Sequence, residues 1–167
     1  AEKNDHIADM TLFVLQRTLR DLAQWHGAGI EVKAAVNISA RLLISPAFFD
    51  AVGAALQVSD TSASDLIFEV TESATMADPA AALRALEGYR RMGIMISLDD
   101  YGTGQSTLTY LKTLPLGELK IDRSFVENAH EDSSEALLVR STVNLAHALG
   151  LQVVAEGIET VECLDFL

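Results

Sequence analysis

Apolar positions along this chain recur with two periods in turn, about 3.6 residues and then 2, and that alternation predicts the elements. From Asn4 to Trp25, Ile7, Met10, Val14, Leu15, Leu19, Leu22 and Trp25 fall at helical spacing, and His26-Gly27-Ala28-Gly29 stops the pattern. EVKAAVNIS then reads as a strand, and PAFFDAVGAALQV as a helix with Pro46 at its start. DLIFEVTES is the second strand. DPAAALRALEGYRRMG predicts a helix with Asp78 as cap, Pro79 in the first turn and Gly93 at the close. IMISLDD is the third strand, followed by a short helix from about Ser106 to Thr113. GELKID is the fourth strand, SSEALLVRSTVNLAHALG a helix, and LQVVAEG the fifth strand, while TVECLDFL opens a further helix.

Strands alternating with helices predict parallel pairing and an α/β architecture. Five such strands fit an open sheet or part of an eight-stranded barrel, and periodicity alone does not choose. Side-chain phase carries the argument further, because successive residues of a strand face opposite ways. Asn37 opposes Val36 and Ile38; Glu69 opposes Phe68 and Val70; Asp99 shares a face with Met95 and Ser97, against Ile96 and Leu98. Lys120 opposes Leu119 and Ile121, and Glu156 opposes Val153 and Ala155. Each strand thus ends on a polar group at its C-terminal edge, where parallel sheets and barrels place ligands. A barrel brings all five to one mouth, whereas an open sheet spreads them over two faces, so their convergence favours the barrel.

The bulk properties narrow the function. The 167 residues, 49% hydrophobic and 22% charged with 3 prolines, describe one globular domain without linker or repeat. No run approaches the roughly 18 apolar residues of a membrane helix, and AEKNDHIADM lacks the layout of a signal peptide. A single cysteine, Cys163, excludes an internal disulfide and fits a reducing, cytoplasmic setting. The net charge of −12, without a Lys/Arg cluster, argues against a nucleic-acid polymer as partner. A small phosphate ester stays compatible with that charge if metal ions stand between it and the carboxylates.

Asn37, Glu69, Asp99 and Asp100 are oxygen donors of the kind that suit Mg²⁺ or Mn²⁺. Adjacent aspartates let one bridge two ions while its neighbour binds the second, and such a pair of ions promotes phosphate-ester hydrolysis. Lys120 suits orienting a water or neutralising a phosphate oxygen, and Glu156 or Glu159 suits metal binding or accepting a proton. Taken alone, each carboxylate also fits an ordinary turn or cap, and Asp99-Asp100 before Gly-Thr-Gly fits a turn. His6, His26, His130 and His147 show no metal-ligand spacing, and Gly102-Thr103-Gly104 sits in no complete phosphate-loop motif.

At these residues the sequence resembles the EAL-domain family, bacterial phosphodiesterases that hydrolyse cyclic di-GMP. VNIS resembles the family's Asn-x-Ser strand, and EVTES its Glu-x-Thr-Glu segment. LDDYGTG is similar to its Asp-Asp-Phe-Gly-Thr-Gly signature with Tyr101 for Phe, LKIDRSFV to its Lys-x-Asp strand, and VVAEGIET to its Glu-Gly-x-Glu strand. The resemblance implies a TIM-like barrel of the EAL type, with a first strand antiparallel to the rest, of which about five parallel strands are present here. It implies that Asn37, Glu69 and Asp99 hold one divalent ion, Mg²⁺ or Mn²⁺, and that Asp99 bridges to a second ion held with Asp100. Lys120 would position the nucleophilic water, Glu156 would be the general base, and Glu159 would orient the metal site. Glu72 would steady the loop containing Tyr101, Gly102, Thr103 and Gly104, which couples substrate, metals and dimerisation in this family.

The implied reaction converts cyclic di-GMP to linear pGpG. The implied setting is a cytoplasmic homodimer fused to, or controlled by, sensory or GGDEF-type domains. The Glu-Ala-Leu strand, with its metal-binding Glu and nearby phosphate-binding Arg, is not in the sequence, and neither is the C-terminal Gln-Gly segment. Gln105 and Thr107 also depart from the usual loop residues. Residues 1–167 are therefore expected to be a single EAL-type domain truncated at both ends, inactive alone although its parent is active. A receptor that binds cyclic di-GMP without turnover is the competing expectation.

Overall fold

The computed structural model describes residues 6–102, 108–131 and 133–167. The strands lie where the period-2 segments put them: β1 (Ala34–Asn37), β2 (Leu66–Thr71), β3 (Met95–Tyr101), β4 (Glu118–Ile121) and β5 (Gln152–Ala155). Between them run α1 (Ile7–Gly27), α2 (Ala40–Leu43), α3 (Pro46–Gln57), α4 (Glu72–Met76), α5 (Pro79–Met92), α6 (Leu108–Thr113), α7 (Arg123–Val126), α8 (Ser133–Ala148) and α9 (Val161–Phe166). Local chemistry sets several boundaries. The Ser45 hydroxyl accepts from the Phe48 amide at 3.3 Å ahead of Pro46, and Asp78 accepts from the Ala81 amide at 3.0 Å ahead of Pro79. Gly93 closes α5.

The sheet order is β1-β2-β3-β4-β5 and every pairing is parallel. Each strand adds beside its predecessor, with no reversal of direction across the sheet. A doubly wound sheet needs such a reversal; a barrel wall does not. This is the choice that periodicity left open.

Register aligns the rows. Val36, Phe68 and Ile96 stand abreast on one face, as do Leu98, Leu119 and Val153. That face is packed by helices, and Phe68, Ile96, Leu98 and Leu119 are buried in one continuous core with Leu15, Leu22, Leu86 and Tyr89. Fully burying a side chain of this size stabilises by roughly 1.5–3 kcal/mol. Tyr89 of α5 centres the core, its ring centroid 5.1 Å from both Phe49 and Phe68.

Helix α1 differs in detail from its apolar spacing. The predicted start at Asn4 lies outside the described residues. Thr11, Leu15, Leu19 and Leu22 form the buried line, while Met10, Val14 and Trp25 are exposed. The apolar stripe is wider than the surface α3 and β1 cover, and Met10 and Val14 border a hollow of about 510 Å³ beside Asn37 and Ser39.

Candidate active site

The other face of the sheet carries the polar row. Asn37 stands abreast of Glu69, and Glu69 abreast of Ser97; Thr71 pairs with Asp99 one step along. In β4 the alternation that buries Leu119 and Ile121 sends Lys120 to this face. Its Nζ lies 2.9 Å from Glu69 Oε1, 3.2 Å from Asp99 Oδ1 and 2.6 Å from Glu156 Oε1. One lysine therefore ties together the ends of β2, β3 and β5, and it does so while only 8% exposed. Burial by itself lowers the affinity of the lysine for its proton; the hydrogen bonds to Glu156, Glu69 and Asp99 outweigh it and push the pKa above the ordinary lysine value. The surrounding carboxylates thus favour the ammonium form of Lys120.

Asp99 and Asp100 occupy a break in the ladder. The β3–β4 register shifts between Leu98 and Tyr101, and Asp100 takes a left-handed backbone with φ of 56°. Such bulges re-aim side chains near functional sites, and Asp tolerates this conformation better than most residues. The Asp100 amide donates to Asp99 Oδ1 at 3.0 Å. Burial, followed by the charges of Asp99, Asp122 and Glu156, raises the Asp100 carboxyl above the usual carboxylate range, with Lys120 opposing. The mouth of the sheet is therefore over-supplied with negative charge.

Behind it, the buried Glu72 at the start of α4 accepts from the Gly102 amide at 3.4 Å. Burial, then the Glu72 charge, raises the Tyr101 phenol. Gly102 has φ of 103°, and a Cβ there would stand 2.9 Å from the Phe125 ring, so glycine is required on two grounds. Thr103 and Gly104 lie outside the described residues.

Glu159 is placed elsewhere. Its Oε1 meets Arg123 Nη1 at 2.8 Å, with the Arg123 Nε on Glu127 at 3.0 Å. The Arg123 stem lies against Gly157, which has φ of 71° and no room for a side chain. Lys120 thus gathers Glu69, Asp99 and Glu156, while Glu159 braces the turn beyond β5. Sequence reasoning missed Arg123, whose visible signal was the four-residue spacing to Glu127. It also missed Ser97, a fully buried serine whose Oγ has no hydrogen-bond partner among the described residues.

The donor set fits divalent metal ions. Asn37, Glu69, Asp99 and Asp100 offer hard oxygens of the kind these ions take. Among the described residues no three acidic, cysteine or imidazole groups form a ready-made cage, and Lys120 is the cation that Glu69 and Asp99 share.

Comparison with known proteins places the fold in a family. The EAL domain profile matches residues 1–167. MucR of Pseudomonas aeruginosa, named as a bifunctional diguanylate cyclase/cyclic di-GMP phosphodiesterase, is 42% identical over 168 residues, which are 100% of this chain and 24% of MucR. PdeR of Escherichia coli, named as a cyclic di-GMP phosphodiesterase, is 35% identical over 167 residues, 100% of this chain and 25% of PdeR. The chain thus spans about a quarter of the length of these curated relatives. The solved structure of PaMucR phosphodiesterase in its c-di-GMP complex matches with a TM-score of 0.94 at 42% identity, covering 100% of this chain and 68% of that one. With the profile matching residues 1–167 and the fold shared over the whole chain, the chain belongs to the EAL domain family.

Proposed function

We propose that this chain supplies the catalytic edge of a phosphodiesterase that hydrolyses cyclic di-GMP to linear pGpG. The observation that carries the reading is Lys120 within 3.2 Å of Glu69, Asp99 and Glu156, at the ends of four neighbouring strands counting its own. A receptor has no evident use for a buried lysine bonded to a carboxylate suited to be a base; a hydrolase does.

In this reading Asn37, Glu69 and Asp99 would hold one divalent ion, Mg²⁺ or Mn²⁺, and Asp99 with Asp100 would hold a second, while Glu159, paired with Arg123, would orient the turn beyond β5 beside them. When bound, the ions polarise the phosphate and lower the pKa of water. Glu156 accepts the proton from the water that attacks phosphorus, one P–O bond of the ring breaks, and the departing ribose oxygen leaves as a hydroxyl with a proton from solvent. Lys120 holds Glu156 in place and, as an ammonium, stabilises negative charge gathering on the phosphate oxygens. Glu72, through the Gly102 amide, steadies Tyr101 and Gly102, where the loop that continues into Thr103 and Gly104 begins. Residues 1–167 act as a single EAL-type unit, homodimeric through that loop, and answer to sensory or GGDEF-type domains in a cytoplasmic setting. The pairing of cyclase and phosphodiesterase in the MucR name supports such control. Among the described residues no helix is long and apolar enough to cross a membrane.

The test is Mn²⁺- or Mg²⁺-dependent hydrolysis of cyclic di-GMP by the intact protein. Glu156→Ala and Asp99→Asn should each lower turnover by about a hundredfold or more, the scale of a lost acid–base group. Undiminished turnover in both would overturn the mechanism. Tight binding without turnover by the wild type would make the protein a receptor instead.

A further inference from the structure

We infer that Arg123 is a positioning residue for Glu156, holding the turn behind it against α7; the inference rests on the reading of Glu156 as the base and deepens it. Three carboxylates meet Lys120, and Glu156 is the one least fixed by packing. Its side chain is 36% exposed, against 13% for Glu69 and 14% for Asp99. It lies one residue past the end of β5, and Gly157 follows it with φ of 71°. Glycine moves through backbone conformations that other residues resist, so this turn needs an outside hold if Glu156 is to stay aimed.

The end of β4 and the start of α7 supply that hold at three points. The Lys120 ammonium takes the Glu156 carboxylate at 2.6 Å, and the Glu156 amide donates to the Ile121 carbonyl at 3.1 Å. Neither contact reaches the chain beyond Glu156; Arg123 does. Its aliphatic stem lies where a Cβ of residue 157 would stand, and its Nη1 meets Glu159 Oε1 at 2.8 Å. Its own aim is set by Glu127, which accepts from Nε at 3.0 Å one helical turn along. The far end of the turn is docked on the same helix. Thr160 caps α9 by accepting from the Cys163 amide at 3.2 Å, and the buried Cys163 thiol donates to the Val126 carbonyl of α7 at 3.3 Å. Residues 156–160 are therefore clamped to α7 at both ends, and Arg123 is the clamp beside the base. Both partners of its ion pair with Glu159 are exposed to solvent, so the pair adds little to the stability of the fold. What it supplies is aim, and a displacement of about 1 Å at a reacting group costs about a hundredfold in rate.

The experiment compares wild type, Arg123→Ala, Arg123→Gln and Arg123→Lys in the intact protein. Steady-state hydrolysis of cyclic di-GMP at saturating Mn²⁺ is measured beside thermal unfolding and amide hydrogen exchange of residues 153–160 by mass spectrometry. Arg123→Ala should lower kcat about thirtyfold with KM within about twofold, and move the unfolding midpoint by less than about 3 °C. Exchange in residues 153–160 should quicken about tenfold, while that of β2 stays as in wild type. Arg123→Gln, which keeps the stem without the charge, should lose about tenfold in kcat. Arg123→Lys, which keeps both stem and charge, should stay within about threefold of wild type. Wild-type kcat in Arg123→Ala, unchanged exchange in residues 153–160, or a loss that Arg123→Lys does not restore overturns the inference. Should Arg123→Ala fail to fold, the other two variants decide, and equal kcat in Arg123→Gln and Arg123→Lys overturns it. A wild type that turns over no cyclic di-GMP overturns the reading of Glu156 as base instead, and the exchange result then decides whether Arg123 holds the turn.

Discussion

The two faces of the sheet are built from alternate residues of the same strands, yet they bury polar groups under opposite rules. On the helix-packed face Tyr89 is fully buried beside Phe49 and Phe68, and its hydroxyl has no hydrogen-bond partner among the described residues. On the polar face Lys120 is buried with three carboxylates around it. The first arrangement tolerates a small desolvation cost because the ring supplies so much apolar area. The second gathers charge in excess of what pairing needs, a poor route to stability but a good one to ion and phosphate chemistry. The helix-packed face is built for folding; the polar face is kept for chemistry.

Removing apolar volume from the helix-packed face should give the largest effect. Phe68→Ala empties the position between β1, β3 and Tyr89 and is expected to cost about 3–5 kcal/mol in chemical denaturation. A cost under about 1 kcal/mol would erase the contrast between the faces. Next comes the polar face. Asp99→Asn is expected to reduce turnover about a hundredfold, equivalent to about 2.7 kcal/mol in the barrier, with the unfolding midpoint held or raised because repulsion with Asp100 falls. Loss of stability in step with turnover would show that Asp99 is structural.

Gly102→Ala should cost about 1–2 kcal/mol, since the left-handed backbone and the Phe125 ring both oppose a Cβ. Thermal unfolding measures it, and a silent substitution would mean that the β3 edge relaxes freely. The smallest effect is expected for Tyr89→Phe, within about 1 kcal/mol and toward greater stability, because an unpaired buried hydroxyl is removed.

A pH series sharpens the same contrast. Burial raises the Tyr89 phenol, and carboxylate bonds raise Lys120 against the effect of burial, so in both cases the folded pKa exceeds the unfolded one. Their contributions are complete below the unfolded values near pH 10 and are lost as pH rises beyond them. The midpoint of denaturation should therefore fall above about pH 10. Tyr89→Phe should reduce that fall in part, leaving the share that belongs to Lys120.

Particular elements mark how far sequence reading went. The end of β2 was legible because Phe68 and Val70 alternate with Glu69 and Thr71, and alternation is a property of local backbone geometry. The expectation that Asn37, Glu69, Asp99, Lys120 and Glu156 share one edge came from the same rule applied strand by strand. The bulge at Asp100 was not legible. Its left-handed conformation arises from the β3–β4 register, and LDDYGTG reads equally well as an ordinary turn. The placement of Glu159 on Arg123 was likewise hidden, since it depends on how the turn after β5 seats on the start of α7.

By itself, then, the sequence determined the helices and strands, the face each strand residue takes, and the polar character of the strand ends. Those follow from periods a few residues long and from side-chain chemistry. Only the tertiary structure decided the strand order that makes a barrel wall, and the convergence of Glu69, Asp99 and Glu156 on one ammonium. The physical reason is that these carboxylates lie on separate strands, and distances of 2.6–3.2 Å between them and Lys120 exist only once parallel pairing has fixed the register.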